Sequence, residues 1–265
     1  MYNTYLFDLY GTLVDIQTEE QSTEVWQKLS AFYGYYGAHY EPKELQSAYL
    51  REEEILRMKA MKSIQGKEAV RLEESNLESK VENVQESQSE CFPEIVLEYV
   101  FQTLFHLKGV EASRELSVHA GQFFRILSLK YIKLYRGIPD MLKTLKDRDK
   151  KVYLLSNAQQ IFTEYEMNFL DIKKYFDGIL FSSDAGFMKP DQRFYQAAIE
   201  KFSIDKRTSV MIGNDFTCDI LGAKAAGIDA FYVHTNISGA MPEDMGDTNW
   251  MMGMDGIELL QKLCK

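Results

Sequence analysis

Residues that can do chemistry follow separate apolar runs of this sequence. The first run ends in Asp8, with Gly11 and Thr12 close behind, and a carboxylate at such a tip can act as a nucleophile. The second run ends in Ser156 and Asn157, whose hydroxyl, amide and backbone N–H groups can seat an oxyanion or a phosphate. A turn-forming Asp is the alternative explanation of the first signal, and a helix cap explains the second equally well on local grounds, so order and position must decide.

Charge follows at two further places along the chain. Lys189 stands before Pro190, and a lysine there would neutralise negative charge gathered at a site, although alone it is typical of a surface residue. Another apolar run is followed by Asn214 and Asp215, with Asp219 four residues further on. Two carboxylates and an amide oxygen without nearby histidine suit Mg²⁺. Capping of a helix by Asp219 is the alternative.

The elements that must position these residues read as strands of a parallel sheet. Short apolar runs without polar alternation are typical of strands buried on both faces. These runs cover residues 4–8, 151–156, 179–182, 209–213 and 230–234. Helical patterns alternate with the later runs, over 139–148, 161–169, 191–201 and 218–226. The alternation predicts an α/β fold with a Rossmann-like, doubly wound parallel sheet. Because ligands bind beyond the carboxyl ends of such strands, Asp8, Ser156, Lys189 and Asp215 should meet at one edge.

A helical insert separates the first predicted strand from the others. Between residues 17 and 135 apolar residues recur at helical spacing, and no strand is evident. The helical patterns cover 25–36, 45–61, 95–107 and 116–134. We interpret 17–135 as a helical cap domain and 1–16 with 136–265 as the α/β core. The polar stretch 75–90 is left open between a solvated helix and a loop.

Composition narrows the possible partners. The 265 residues carry a net charge of −10, which disfavours general binding to nucleic acid or to an anionic membrane. No apolar stretch approaches the ~20 residues of a membrane span, and no secretory signal is evident. Three scattered cysteines favour a reducing compartment, so a cytoplasmic location is expected. The expected partner is a small-molecule substrate, and the sequence does not distinguish a monomer from a homodimer.

Taken in order, the motifs resemble those of the haloacid dehalogenase superfamily of hydrolases, in its α-helical cap subfamily. The matching stretches are FDLYGTLVD, LLSNA, KPDQRFY and IGNDFTCDILGAKAAGI. The resemblance covers about residues 1–16 and 136–265, and it is specific for the superfamily but far less so for substrate. It implies that Asp8 attacks the substrate and forms a covalent aspartyl intermediate, which water hydrolyses. It also implies that Lys189 holds the nucleophile and the developing negative charge.

The same resemblance implies which residues bind the substrate and the metal. Thr12, Ser156 and Asn157 would bind the transferring group, and Tyr195, six residues after the motif-three lysine, would join them as it does in the dehalogenase branch. The implied cofactor is Mg²⁺. Its ligands would be the Asp8 carboxylate, the backbone carbonyl of Tyr10, Asp215 and Asp219, with Asn214 assisting.

One position departs from the pattern of the superfamily's phosphatases. They usually carry a second Asp two residues after the nucleophile as general acid and base, and here that residue is Tyr10. A phenol with a pKa near 10 is a poor base at neutral pH. Tyr at this place resembles the 2-haloacid dehalogenases, which expel halide without a proton. Those enzymes work without metal, have a Ser/Asn-rich fourth motif, and use an early cap Arg, whereas the first Arg here is Arg51, interpreted as an exposed helix charge.

Three functions therefore stay open at this stage. The favoured hypothesis is a Mg²⁺-dependent hydrolase of a small phosphorylated metabolite, because the fourth motif is acidic. The first alternative is a metal-independent 2-haloacid dehalogenase, because of Tyr10, Asn157 and Tyr195. The second alternative is a catalytically weak binding or regulatory member of the same fold.

Overall fold

The main element of the fold is a six-stranded, all-parallel sheet. The computed structural model describes residues 2–75 and 92–263. Within them the strands are β1 (Thr4–Phe7), β2 (Val14–Thr18), β3 (Leu129–Leu134), β4 (Lys151–Ser156), β5 (Gly178–Phe181), β6 (Ser209–Gly213), β7 (Asp229–His234) and β8 (Asn249–Met252). The order across the main sheet is β5-β4-β1-β6-β7-β8, and every neighbouring pair is parallel.

Helices complete the fold. They are α1 (Thr23–Tyr35), α2 (Pro42–Ser75), α3 (Leu97–His106), α4 (Arg114–Ser128), α5 (Ile138–Asp147), α6 (Gln160–Phe169), α7 (Ser182–Ala185), α8 (Gln192–Phe202), α9 (Gly222–Ala225) and α10 (Gly256–Leu263). A π-helix, Phe216–Leu221, leads into α9, and short 3₁₀ turns occupy Lys173–Tyr175 and Lys206–Thr208. None of the helices in these described ranges is both long and apolar enough to cross a membrane.

Both faces of the central strand β1 are covered. Tyr5 and Phe7 pack in one apolar cluster with α5 and α10, whereas Leu6 packs in another with α8. Because successive side chains of a strand point to opposite faces, this split places helices on both sides of the sheet. The predicted α/β fold with a doubly wound parallel sheet is therefore confirmed.

Strand register brings the chemistry-bearing residues to one edge. Phe7, the last residue of β1, lies opposite Leu154 in β4 and Ile212 in β6. The residue that follows Phe7 is Asp8, and Ser156 ends β4 two residues after Leu154. These two side chains therefore emerge from the same end of two adjacent strands, where ligands of such sheets bind.

The helices α1 to α4 form an apolar cluster of their own. Its buried aromatic members include Trp26, Tyr33, Phe101, Phe105 and Phe124. Phe162, from α6 beside the sheet, packs into the same cluster and so joins the two parts of the molecule. The assignment of 17–135 as a separate cap domain stays a prediction, and all of 75–90 except Ser75 lies outside the described residues.

The expectation that 17–135 contains no strand, and that 116–134 is one helix, is wrong. Helix α4 ends at Ser128, and β3 pairs antiparallel with β2. In the sequence LKYIKL, Ile132 and Leu134 are half-buried while Tyr131 and Lys133 are exposed. This alternation has the period of a strand, and it was hidden by the helical spacing of the apolar residues before it. Strand β8 and helix α10 were not anticipated either.

Candidate active site

Asp8 lies at the tip of β1 within reach of three predicted site residues. Its Oδ1 accepts a hydrogen bond from Lys189 Nζ at 2.8 Å and another from Ser156 Oγ at 3.3 Å. Its Oδ2 accepts one from Thr12 Oγ1 at 3.4 Å. The backbone N–H of Asp8 donates to the carbonyl of Ile212 at 3.0 Å, which fixes the carboxylate to β6. Strand pairing thus gathers residues that are up to 181 positions apart.

Lys189 is buried and fully engaged. Besides Asp8, its ammonium donates to Asp219 Oδ1 at 2.6 Å and to the carbonyl of Leu155 at 2.7 Å. Burial alone would lower the pKa of Lys189, but the carboxylates of Asp219 and Asp8 outweigh it and raise that pKa. Lys189 is therefore a fixed cation beside the candidate nucleophile. With all three groups ionised, two carboxylates and one ammonium leave one negative charge at this edge.

Asp219 is held on both of its oxygens. Oδ1 bonds Lys189, and Oδ2 accepts the backbone N–H of Asp215 at 2.9 Å. Burial raises the pKa of Asp219, and the ammonium of Lys189 opposes that shift. A Cβ on Gly213 would lie 2.2 Å from Asp219 Oδ2, so this strand end has room only for glycine. That Asp219 binds the metal stays a prediction. Its hydrogen bonds fit better with a role in holding the Lys189 ammonium.

Oxygen donors around Asp8 have the chemistry that Mg²⁺ requires. Thr12 Oγ1 lies 3.2 Å from Asn214 Oδ1 as well as near Asp8, so the amide and the carboxylate border the same space. Asp215 follows directly and is exposed; one of its oxygens caps the backbone N–H of Cys218 at 2.8 Å. Across residues 2–75 and 92–263, no three His, Cys, Asp or Glu side chains form a metal-binding group. Because Mg²⁺ is commonly held by one or two carboxylates and several waters, these residues fit it.

Two predicted substrate-binding residues have their side chains engaged within the protein. Asn157 pairs twice with the backbone of Lys189: it donates to the carbonyl at 2.9 Å and accepts from the N–H at 2.7 Å. Tyr195 is fully buried, and its hydroxyl donates to the carbonyl of Cys218 at 2.6 Å. Substrate contact by Tyr195 stays a prediction, but its burial fits a structural role better. Asn157 holds the backbone of Lys189, and Tyr195 holds the π-helix that carries Asp219.

The Tyr10 hydroxyl contacts a buried ion pair. Its hydroxyl donates to Glu166 Oε2 at 2.5 Å, and Arg125 Nε donates to Glu166 Oε1 at 2.6 Å. Burial and the Glu166 carboxylate raise the pKa of Tyr10. The predicted catalytic use of Tyr10 stays a prediction, but its phenol is less acidic than a free one. Arg51, by contrast, is an exposed helix charge beside Glu52, as its sequence context indicated.

Glu166 and Arg125 were missed by the sequence analysis. Glu166 lies in α6, and Arg125 lies in α4, 41 positions earlier in the chain. Neither follows a strand, and in sequence each resembles the many charges of a solvated helix face. The strongest available signal is an Arg amid the apolar residues of 116–134, and that signal does not name a partner.

A parallel sheet with a lysine-bound aspartate at its carboxyl edge defines a hydrolase of one known class. The chain belongs to the haloacid dehalogenase-like hydrolases, whose family model matches residues 2–227. This confirms the resemblance stated for the four motifs.

Curated relatives cover parts of the chain. Haloacid dehalogenase-like hydrolase domain-containing protein 3 from Homo sapiens is 28% identical over 174 residues, which is 61% of this chain and 68% of that protein. Glyceraldehyde 3-phosphate phosphatase from Methanothermobacter thermautotrophicus is 34% identical over 110 residues, which is 40% of this chain and 49% of that protein. The chain thus spans about half the length of the second relative.

Among solved structures, the 2-haloacid dehalogenase from Pseudomonas syringae pv. Tomato DC3000 has the same fold. The two chains align over 100% of both, with a TM-score of 0.62 and 16% sequence identity. At that identity the likeness concerns the fold alone, and it agrees with the parallel sheet described above.

Proposed function

We propose that this hydrolase acts on a small phosphorylated metabolite and uses Asp8 as its nucleophile. The observation that carries the proposal is the 2.8 Å contact between Lys189 Nζ and Asp8 Oδ1. The fixed ammonium orients the Asp8 carboxylate and offsets the charge of an approaching phosphoryl group. The phosphatase named among the relatives supports a phosphoester substrate.

The proposed reaction has two displacements. Asp8 attacks phosphorus, the bond from phosphorus to the ester oxygen breaks, and an aspartyl phosphate forms. Water then attacks that phosphorus, which releases inorganic phosphate and restores the Asp8 carboxylate. Lys189, fixed by Asp219 and Leu155, stabilises the negative charge of both transition states. Ser156 and Thr12, which donate to the two carboxylate oxygens of Asp8, orient the nucleophile for attack.

The proposed cofactor is Mg²⁺. Asp8, Asp215 and the backbone carbonyl of Tyr10 would hold it, with Asn214 beside them. When bound, the ion supplies neutralising charge for phosphoryl oxygens. Asp215 is exposed, and Oδ2 of Asp8 accepts only a 3.4 Å hydrogen bond from Thr12 among the described contacts. These two carboxylates are therefore suited to binding the ion.

Protonation of the leaving group is the weak point of the proposed phosphatase. The Tyr10 phenol donates to Glu166 and has a raised pKa, so it does not replace the second aspartate of the superfamily's phosphatases. The leaving oxygen must take its proton from water, which predicts slow turnover of alkyl esters.

The same feature favours the second candidate, a metal-independent 2-haloacid dehalogenase. In that reaction Asp8 displaces halide from C2, and halide leaves without a proton. Water then cleaves the ester by attack on the acyl carbon of Asp8. Tyr10 is the observation that favours this reading, and Asp215 is the observation against it.

One experiment separates the two candidates. Phosphate release is measured over a panel of small phosphate esters, with Mg²⁺ and with EDTA, and chloride release from 2-chloropropionate is measured in EDTA. Metal-dependent phosphate release that is absent in Asp8→Asn supports the proposal. Chloride release in EDTA, also lost in Asp8→Asn, would replace it with the dehalogenase. Absence of both activities would reject both and favour a binding role.

Two further assignments belong to the proposal. We propose that residues 17–135 act as a cap over the core formed by 1–16 and 136–265, because α4 packs its Arg125 against Glu166 of α6. We also propose a cytoplasmic location, from the scattered cysteines alone.

A further inference from the structure

A single buried cluster joins the loop after β1 to two helices. The Tyr10 hydroxyl donates to Glu166 Oε2 and lies 2.9 Å from Thr163 Oγ1, and both partners belong to α6. Arg125 of α4 donates to Glu166 and also lies over the Tyr10 ring, with its guanidinium carbon 5.6 Å from the ring centroid. Three segments distant in sequence thus share one set of contacts.

The ion pair in this cluster is unlike the other charges of α6. The side chains of Glu166 and Arg125 are 4% and 13% exposed, whereas Glu164, two residues before Glu166 and on a different face of α6, is 45% exposed. Buried ion pairs tolerate little change in geometry, because a displaced partner leaves an uncompensated charge. Glu166 is therefore held in one position, and it holds the Tyr10 hydroxyl with it.

Tyr10 is well placed to transmit that position to Asp8. The loop after β1 is a tight turn: Leu13 N and Val14 N both donate to the carbonyl of Leu9, at 2.8 and 2.9 Å. Gly11 closes the turn with a positive φ of 87°. Because Tyr10 belongs to this turn, two residues after Asp8, a shift of its ring moves the turn that presents the carboxylate.

We propose that Glu166 and Arg125 are positioning residues for the Asp8 loop, which act through Tyr10 and make the loop's geometry depend on α4 being docked against α6. Arg125 is the only contribution of α4 to this cluster among the described contacts. Through Arg125, α4 thereby influences Asp8, with which it shares none of the described contacts. In this proposal Tyr10 holds the Asp8 loop in position and does not transfer a proton. A phenol can therefore occupy the position at which the superfamily's phosphatases carry a general acid.

The kinetic test rests on the proposed function and uses whichever activity the protein shows. Glu166→Gln and Arg125→Met should each lower kcat by about 10- to 100-fold, because misplacement of about 1 Å costs that much, with a much smaller change in KM. Tyr10→Phe removes the hydroxyl that transmits the effect and should lower kcat similarly. In the Tyr10→Phe background, Glu166→Gln should then have no further effect. A fully additive loss in the double variant would overturn the proposal.

The second arm does not need turnover, so it distinguishes failure of this inference from failure of the proposed function. Amide hydrogen exchange is followed in the wild type and in Glu166→Gln. Amides of residues 9–14 should exchange at least about tenfold faster, while those of β1 and β6 keep their protection. Equal loosening of β1 and β6, or unchanged exchange at 9–14, would overturn the inference.

The matched control is Glu164→Gln, which removes a neighbouring carboxylate of α6 that pairs with Lys173 instead of Tyr10. It should leave kcat and the exchange of residues 9–14 unchanged. Equal effects of Glu164→Gln and Glu166→Gln would show that loss of any α6 charge suffices, and would contradict the proposal.

Discussion

Asp219 accepts a hydrogen bond at 2.6 Å from the same ammonium of Lys189 that lies 2.8 Å from Asp8. The second carboxylate lies in the strand-end segment after β6, where Gly213 leaves room for it. Lys189 is thus compensated even though it is buried, and its position is set by groups outside the reacting pair. This arrangement makes the charge of Lys189 important to both stability and turnover.

Replacing Lys189 should damage both properties. Lys189→Met keeps an unbranched side chain but leaves Asp8 and Asp219 facing each other without a cation. We expect a loss of about 3–5 kcal/mol in the free energy of unfolding, because a buried ion pair loses one partner. Turnover should fall by at least about 10²–10³-fold. Urea denaturation and steady-state kinetics measure the two effects.

The control for that variant is Lys143→Met. Lys143 pairs with Asp147 on α5, and both side chains are more than half exposed. Such pairs contribute about 0–1 kcal/mol, so stability and turnover should hardly change. Turnover of Lys189→Met within threefold of the wild type would contradict the role proposed for the lysine.

The dependence of turnover on the leaving group should show that a general acid is missing. An enzyme without a proton donor should cleave p-nitrophenyl phosphate far faster than an alkyl phosphate, because only the alkoxide must be protonated. Tyr10→Asp should narrow that ratio by about 10²–10⁴-fold. The ratio is independent of any general loss in loop positioning, which affects both esters alike. Tyr10→Phe is the control and should keep the wild-type ratio; a narrowed ratio in Tyr10→Phe would show that the phenol donates the proton.

The strand-end residues were predictable because the rules that place them are local and general. A short apolar run that forms a buried parallel strand brings the residues at its end to the ligand-binding edge, and this sufficed for Asp8 and Ser156. Lys189 lies beyond β5 and α7, and the order of the motifs was needed to place it at the same edge. Their grouping agrees with the contacts found around Asp8. Which of these residues pair with each other was not predictable. The hydrogen bond between Asp219 and Lys189 depends on side-chain distances that a sequence pattern does not define.

Contacts between helices could not be predicted from the sequence, for a different reason. Glu166 and Arg125 meet because α4 and α6 pack together, and helix packing depends on registers that apolar spacing does not define. Strand β3 was missed because helical and strand periods overlap in a short stretch. Strand β8 was missed because it is a four-residue edge strand whose side chains are mostly exposed, so it lacks the apolar run that marks the central strands.

Removal of the metal should abolish phosphate release, and Asp215 should govern the affinity for Mg²⁺. Asp215→Asn keeps a side chain that can cap the N–H of Cys218 but removes one charge. Mg²⁺ affinity, measured by calorimetry without substrate, should fall by more than the roughly 10–100-fold expected for loss of an outer-shell partner.

Asp205→Asn is the control for Asp215→Asn. Asp205 also caps a short helix, at Arg207 N, but lies away from the strand-end cluster. Its variant should bind Mg²⁺ like the wild type. Unchanged affinity in Asp215→Asn would remove Asp215 from the proposed metal site.

Gly11 should tolerate no side chain. Its φ of 87° is unfavourable for other residues, and an added Cβ would lie 2.3 Å from Asn214 Nδ2. Gly11→Ala should therefore lose more stability than Gly109→Ala, where φ is 73° but no atom lies within 4 Å of the added Cβ. Backbone strain alone costs about 1–3 kcal/mol, and the overlap adds to it. Thermal or urea denaturation of both variants measures the difference; equal losses would mean that Asn214 simply moves aside.

Acid should weaken the protein partly through Asp191, which caps α8. Burial raises the pKa of this carboxyl, but hydrogen bonds from the Arg193 side chain and from the backbone N–H groups of Arg193 and Phe92 outweigh it and lower the pKa. A lowered folded-state pKa stabilises the protein above the unfolded value near 3.9, and the stabilisation is lost as the pH falls through the folded-state pKa.

Asp191→Asn should therefore be less stable than the wild type at pH 7, by about 1–3 kcal/mol, because a buried charged acceptor is replaced. The difference should shrink as the pH falls below about 4, since the wild-type carboxyl then becomes protonated as well. Urea denaturation between pH 7 and pH 3 gives both curves. Asp147→Asn, in an exposed pair on α5, should follow the wild-type curve at every pH. If the stability difference between Asp191→Asn and the wild type does not vary with pH, the Asp191 side chain stabilises the protein through its shape and not through its charge.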